Sequence, residues 1–242
     1  MEKVNHMKPL IVGNWKMNPT TELEAEKIFE EIKFGVNPPI GDTKIVICPP
    51  FIYLSLLKGL PLGAQDIFFE EKGAYTGEIS TAMLKDIGVE YVIIGHSERR
   101  KYFGETDESV NKKIKASLRA GLKVLFCIGE TEEEREAGRK NEVLERQLKV
   151  GLEGIEVFEN LNVSYEPVWA IGTGKNCPAE EAREAIEFIR GFVSENTRVL
   201  YGGSVKSENS AAYIKESCSD GLLVGGASLN PKEFIKIINS II

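Results

Sequence analysis

A carboxylate at Glu166, an imidazole at His96 and an ammonium at Lys16 each stand just after a short apolar run of this 242-residue chain. Side chains of these types move protons and hold charge, and they act together only if the fold brings their strand ends to one place. Two glycine pairs follow two further apolar runs, in Tyr201-Gly202-Gly203-Ser204-Val205 and Gly225-Gly226-Ala227-Ser228. Glycine lets backbone come close to a ligand with its N–H groups exposed, so pairs on consecutive strands point to an anion held by main chain. Glu166 also opens the segment 165–175, whose apolar middle lies between Pro167 and the glycines Gly172 and Gly174. Such a segment is stiff in its centre and movable at its ends, as a flap over a site should be. Each feature has a plainer alternative: a surface lysine, a structural histidine, a glutamate that caps a helix, a tryptophan that pads the surface, a tight turn. Their shared position, after successive strands, is what favours a site.

The elements that must position them alternate. Strands are expected at 10–12, 44–48, 60–64, 91–94, 123–128, 161–165, 198–201 and 221–224, and runs such as Ile45-Val46-Ile47 and Val92-Ile93-Ile94 lack polar alternation, as in a parallel sheet buried on both faces. Helical spacing falls between them. Thr21 and Glu24 form a capping-box pattern before Ala25, Ile28, Phe29 and Ile32, and a helix from Thr106 stops at Gly121. Another helix starts at Pro178 with Cys177 as its N-cap, and the last follows Asn230 and Pro231. The segments 132–136 and 139–149 read as solvated helix. Strict β–α alternation means a parallel sheet, and Gly13-Asn14-Trp15-Lys16 after the first strand is not a dinucleotide-binding fingerprint. Eight strands in a chain of this length fit a closed (β/α)8 barrel, a single domain over 1–242, with its chemistry at the C-terminal strand ends.

Composition narrows the class. A net charge of −7 argues against a nucleic-acid partner, and a phosphate would need local donors to hold it against the overall field. Cys48, Cys127, Cys177 and Cys218 are widely spaced, and the chain's histidines are His6 and His96, so neither a disulfide framework nor a histidine-rich metal site is expected. No apolar run approaches 18 residues, so no signal peptide or membrane span is expected.

Six segments carry a resemblance. They are Gly13-Asn14-Trp15-Lys16-Met17-Asn18, Gly73-Ala74-Tyr75-Thr76-Gly77-Glu78-Ile79-Ser80, Val92-Ile93-Ile94-Gly95-His96-Ser97-Glu98-Arg99-Arg100, the run 165–175, Leu200-Tyr201-Gly202-Gly203-Ser204-Val205, and the run 220–229. In this order along nearly the whole chain, they resemble the triosephosphate isomerase family. The resemblance implies a TIM barrel that interconverts dihydroxyacetone phosphate and D-glyceraldehyde 3-phosphate in glycolysis and gluconeogenesis, with no metal and no cofactor. It implies Glu166 as the base, His96 as a neutral imidazole that polarises the carbonyl, and Lys16 as the fixed cation. Asn14 would position the same oxygens and Glu98 would support Lys16. The N–H groups of Gly172, Ser204, Gly225 and Gly226 would hold the phosphate. The family is itself a familiar example of a neutral histidine electrophile and of lid closure, so those two roles are not new here. It also implies a cytoplasmic homodimer with Gln65, Tyr75 and Thr76 at the interface. Departures are Ser164, where alanine is commoner, Cys177 in place of a capping threonine, and Tyr75 in place of phenylalanine.

Other readings make different demands. An aldolase would need a Schiff-base lysine inside the barrel, and Lys44 and Lys123 sit at the beginnings of strands, the wrong end. A phosphate binder without catalysis should lack Lys16, His96 or Glu166.

Overall fold

A computed structural model describes residues 7–36, 43–156, 158–172 and 175–241. His6 and the flap residues Thr173 and Gly174 lie outside the described residues. Among the described residues there are eight strands, β1 Leu10–Asn14, β2 Lys44–Cys48, β3 Gly63–Ala64, β4 Tyr91–Ile94, β5 Lys123–Ile128, β6 Leu161–Tyr165, β7 Arg198–Tyr201 and β8 Gly221–Val224. All their pairings are parallel, in the order β2-β1-β8-β7-β6-β5-β4-β3.

The ends of that order nearly meet. Between β2 and β3 there is an isolated bridge, Ile47 to Leu62, with the Ile47 N–H donating to the Pro61 carbonyl at 3.1 Å. The expected closed barrel is therefore a nearly closed one with a single seam, and the strand expected over 60–64 shrinks to two residues. Pro61 supplies the physical reason. It has no N–H to give to a ladder, so regular pairing starts only after it.

The helices are α1 Glu22–Gly35, α2 Thr81–Asp86, α3 Ser97–Phe103, α4 Asp107–Arg119, α5 Glu132–Glu136, α6 Lys140–Gly151, α7 Ala179–Arg190, α8 Ser210–Lys215 and α9 Pro231–Ser240. Side chains cap many of their starts. Thr21, Ser80, Thr106, Thr131 and Asn230 each accept from a backbone N–H three residues on, which satisfies a donor that the helix itself cannot. The start of α7 departs from expectation: Pro178, not Cys177, is the cap residue, no side chain caps it, and the Cys177 thiol is buried. The expected solvated helix at 139–149 also needs correction, because α6 buries Val143, Leu144 and Leu148.

Alternation along the strands sorts side chains into two layers. One phase, with Ile11, Ile47, Val92, Val163 and Tyr165 among its members, packs outward against the helices. The other phase, including Val12, Val46, Ile93, Leu125, Cys127 and Leu200, forms a separate cluster made of strand residues alone, which is the filling of the barrel. Position 166 continues the inward phase past the end of β6. Among the described residues no helix is long and apolar enough to cross a membrane.

Candidate active site

The strand ends converge as the barrel requires. A cavity of about 650 Å³ is lined by Asn14 and Lys16 after β1, His96 after β4, Glu166 and Gly172 after β6, Ser204 after β7, and Gly225 and Gly226 after β8. Glu98 reaches the same cluster through Lys16, whose Nζ donates to Glu98 Oε1 at 2.5 Å.

Lys16 has an unusual backbone, with φ of +56°, which a non-glycine residue adopts only when its surroundings enforce it. Here the enforcement is visible. The Lys16 N–H donates to Asn14 Oδ1 at 3.0 Å, and the Gln65 amide donates to the Lys16 carbonyl at 2.8 Å and to the Cys48 carbonyl at 2.9 Å. Gln65, expected at a subunit interface, thus also grips the backbone of the site cation. Tyr75 and Thr76 stand apart from the cavity, exposed on the loop after β3, with the Tyr75 ring 4.6 Å from Phe68.

His96 is the cap residue of α3. Its Nδ1 accepts from the Glu98 N–H at 3.2 Å. A ring nitrogen that accepts from a backbone N–H is the one without a proton, which leaves Nε2 as the ring's donor nitrogen. That Nε2 lies 3.3 Å from Glu166 Oε1.

Glu166 is 1% exposed, and its other oxygen, Oε2, accepts from the Ser97 N–H at 3.0 Å. Oε1 has no hydrogen-bond partner. The residue is tightly framed. Its N–H donates to the Ile128 carbonyl at 2.7 Å, and a Cβ on Gly129 would lie 1.7 Å from its carbonyl oxygen. A Cβ on Gly202 would meet Ser164 Oγ at 2.6 Å and Glu166 Cγ at 3.0 Å. Close approach, rather than an unusual φ, is what demands glycine at these two positions. Below the carboxylate, burial pushes the Cys127 thiol well above its ordinary pKa, and the charge of Glu166 beside it adds to the effect.

The flap is anchored at its root. Val168–Ala170 form a short 3-10 turn, and the Trp169 indole donates to Glu130 Oε1 at 2.8 Å, where the Tyr165 hydroxyl also donates at 3.1 Å. Burial raises the pKa of Glu130 against the lowering effect of those two donors. On the other side, Ser204 Oγ donates to the Ala170 carbonyl at 2.6 Å.

Sequence reasoning did not single out Glu130, Cys127 or Gly129, and it used Ser97 only as part of a motif. Glu130 follows a buried strand as Glu166 does, and that repetition was the available signal. Among the described residues no group of three or more His, Cys, Asp or Glu side chains is arranged to hold a metal ion.

Comparison with known proteins agrees with this geometry. The family described as triosephosphate isomerase matches residues 9–241. The triosephosphate isomerase of Alkaliphilus oremlandii is 49% identical over 248 residues, covering 96% of this chain and 99% of that protein. That of Geotalea uraniireducens is 50% identical over 96% of this chain and 98% of that protein, and that of Moorella thermoacetica is 48% identical over 96% and 98%. With matches of this identity over nearly its whole length, the chain belongs to the triosephosphate isomerase family.

Proposed function

We propose that this cavity performs the isomerisation for which its family is named, interconverting dihydroxyacetone phosphate and D-glyceraldehyde 3-phosphate by proton transfer through an enediolate. The carrying observation is the pairing of a buried, half-satisfied carboxylate with an imidazole whose Nε2 lies 3.3 Å from it, both lining one cavity.

The chemistry follows from that pairing. With the phosphate ester on the N–H groups of Gly172, Ser204, Gly225 and Gly226, the carbonyl faces His96 Nε2–H and the Lys16 ammonium. Glu166 takes a proton from the carbon beside the carbonyl, and negative charge passes to the carbonyl oxygen. His96 and Lys16 line the same cavity, so both donors stand close to where that charge forms. Glu166 then returns the proton to the neighbouring carbon while His96 moves a proton between the two oxygens, so the base ends as it began. A placed base contributes about 10²–10⁴-fold. Holding the remote phosphate turns the encounter into an oriented, effectively intramolecular step and supplies much of the rest. Closure of 168–175 over the cavity removes water and keeps the enediolate from expelling its phosphate.

A second copy of this chain completes the reading, with Gln65, Tyr75 and Thr76 at the contact. Support comes from two exposed apolar side chains, Met17 at 90% exposure next to Lys16 and Tyr75 at 44% on the loop after β3, which a partner surface would cover. We read the chain as one catalytic barrel, and its free, largely buried cysteines suit a reducing cytoplasm.

A coupled assay with glyceraldehyde 3-phosphate, run with and without chelator, tests the reaction. Turnover in both is expected, and absence of turnover would reject it. For the pairing, Thr76→Glu should shift sedimentation toward monomer, and an unchanged dimer would count against the contact.

A further inference from the structure

A glutamine stands in the buried stripe of α6. The helix turns Val143, Leu144, Leu148 and Gly151 inward, and Gln147 lies among them, 4% exposed. A buried amide must find partners for both its ends, so its place in such a stripe calls for a reason. Both ends meet one residue. The Gly129 N–H donates to Gln147 Oε1 at 2.8 Å, and Gln147 Nε2 donates to the Gly129 carbonyl at 3.2 Å. A neighbouring strand would make the same two bonds. On that side of β5 the neighbour is β4, which ends at Ile94 opposite Phe126, three residues short of Gly129. The side chain therefore supplies a rung that the strand does not reach.

What Gly129 meets on its other side gives the rung its importance. The Glu166 N–H donates to the Ile128 carbonyl at 2.7 Å, and the Val168 N–H donates to the Glu130 carbonyl at 3.1 Å. Bonds from the residues on either side of Gly129 thus hold the backbone of Glu166 and the start of the flap. Gly129 itself packs so tightly on the Glu166 carbonyl that no side chain would fit between them. The helix that presents the amide is equally close-set, since a Cβ on Gly151 would lie 2.5 Å from the Phe126 ring of β5.

We propose that Gln147 is a positioning residue for the proton transfer, whose amide fixes Gly129 and thereby sets where the Glu166 backbone, and with it the carboxylate, stands. Each link from α6 to the base is a direct hydrogen bond or a backbone contact. A base works only when held within a fraction of an ångström, and a misplacement of about 1 Å costs about 10²-fold. Ser204, Gly225 and Gly226, at the phosphate end of the cavity, follow β7 and β8 and lie outside this chain of contacts. Turnover and binding should therefore separate when the amide is removed.

Gln147→Met removes both bonds at nearly the same volume, and the expected result is a fall in kcat of about 10- to 100-fold with KM little changed. Losing a buried amide should also lower the melting temperature, so Asn111→Leu serves as the control. Asn111 on α4 is another buried amide, whose Nδ2 donates to the Gly151 and Glu153 carbonyls at 2.9 and 3.0 Å. Its loss loosens the end of the same helix, one turn on, while the Gln147 amide stays in place. That variant should melt lower yet keep a kcat near wild type. Equal kcat in the two variants, or a raised KM without a fall in kcat in Gln147→Met, would overturn the proposal and leave Gln147 a tie between helix and strand. If Gln147→Met does not fold, Gln147→Asn decides, because it keeps an amide but withdraws it by one carbon. A lowered kcat with KM held supports the proposal there, and wild-type kcat rejects it. The inference rests on Glu166 as the base, and Glu166→Gln in the same assay separates the two. Lost turnover in that variant beside wild-type kcat in the Gln147 variants sinks only the role of Gln147, whereas retained turnover in Glu166→Gln sinks the base assignment.

Discussion

Two buried carboxylates flank helix α3, and they are treated in opposite ways. Asp66, 5% exposed after β3, has both oxygens occupied: Oδ1 accepts from Lys113 at 2.7 Å, while Oδ2 accepts from Lys113 at 2.8 Å and lies 2.8 Å from the Arg99 guanidinium. Glu105 joins the group through Lys113 and Arg99. Glu166, more deeply buried, has one backbone donor and one oxygen without a partner. The first arrangement ties the loop after β3 to α3 and α4. The second leaves capacity for a proton. An open oxygen alone does not set Glu166 apart, since Glu105 and Glu130 each have a buried one too; what distinguishes Glu166 is that it also lines the cavity shared with Asn14, Lys16 and His96.

If that contrast is right, neutralising the two acids should damage different properties. Glu166→Gln should lower kcat by about 10³-fold or more while substrate still binds and thermal stability stays near wild type, as loss of a base implies. Unchanged turnover in steady-state assays would break the comparison at its centre. On the other side, Lys113→Met strands Asp66 and Glu105 without their shared ammonium. It should cost about 3–5 kcal/mol in urea denaturation, since breaking a buried pair leaves an uncompensated charge. The double variant with Asp66→Asn should recover part of that loss, and no recovery would argue that the lysine matters for packing rather than charge. Lys16→Met sharpens the contrast on the catalytic side. The ammonium has one bonded carboxylate, Glu98, and faces the cavity, so its loss should weaken binding of a phosphate-bearing inhibitor by about 10- to 100-fold, measured by competition.

The smallest effect concerns pH. Burial, partly offset by Lys113 and Arg99, raises Asp66 from its ordinary 3.8 to about 6. A carboxyl whose folded pKa is raised binds its proton more tightly in the native state. Its contribution is therefore fully present below about pH 4 and is lost as pH rises through about 6. Asp66→Asn should remove that decline, so the wild type should lose stability relative to the variant between these values. Parallel curves in denaturation at stepped pH would show that Asp66 stays ionised throughout.

Legibility in the sequence followed the range of the interactions involved. The ends of β2, β4, β5, β6, β7 and β8 were readable because an apolar run is a local signal, and β3 was misjudged because Pro61 interrupts the ladder within such a run. The cap at Asn230 was readable for the same local reason, while the absence of one at Cys177 reflects burial of that thiol, which local pattern does not show. Gln65 could be placed near Lys16 only by seeing its amide bridge two carbonyls from different strand ends.

By itself, then, the chain of residues determined the alternation of strand and helix, the side chains standing at strand ends, and the family they belong to, because periodicity and motif order are written along the backbone. Only the tertiary structure decided that Ser97 holds one Glu166 oxygen, that His96 Nδ1 accepts from the Glu98 N–H, that Gln65 enforces the Lys16 backbone and that Ser164 pairs with Cys127. Those choices depend on register and close approach between strands far apart in sequence, where a fraction of an ångström selects which donor meets which acceptor.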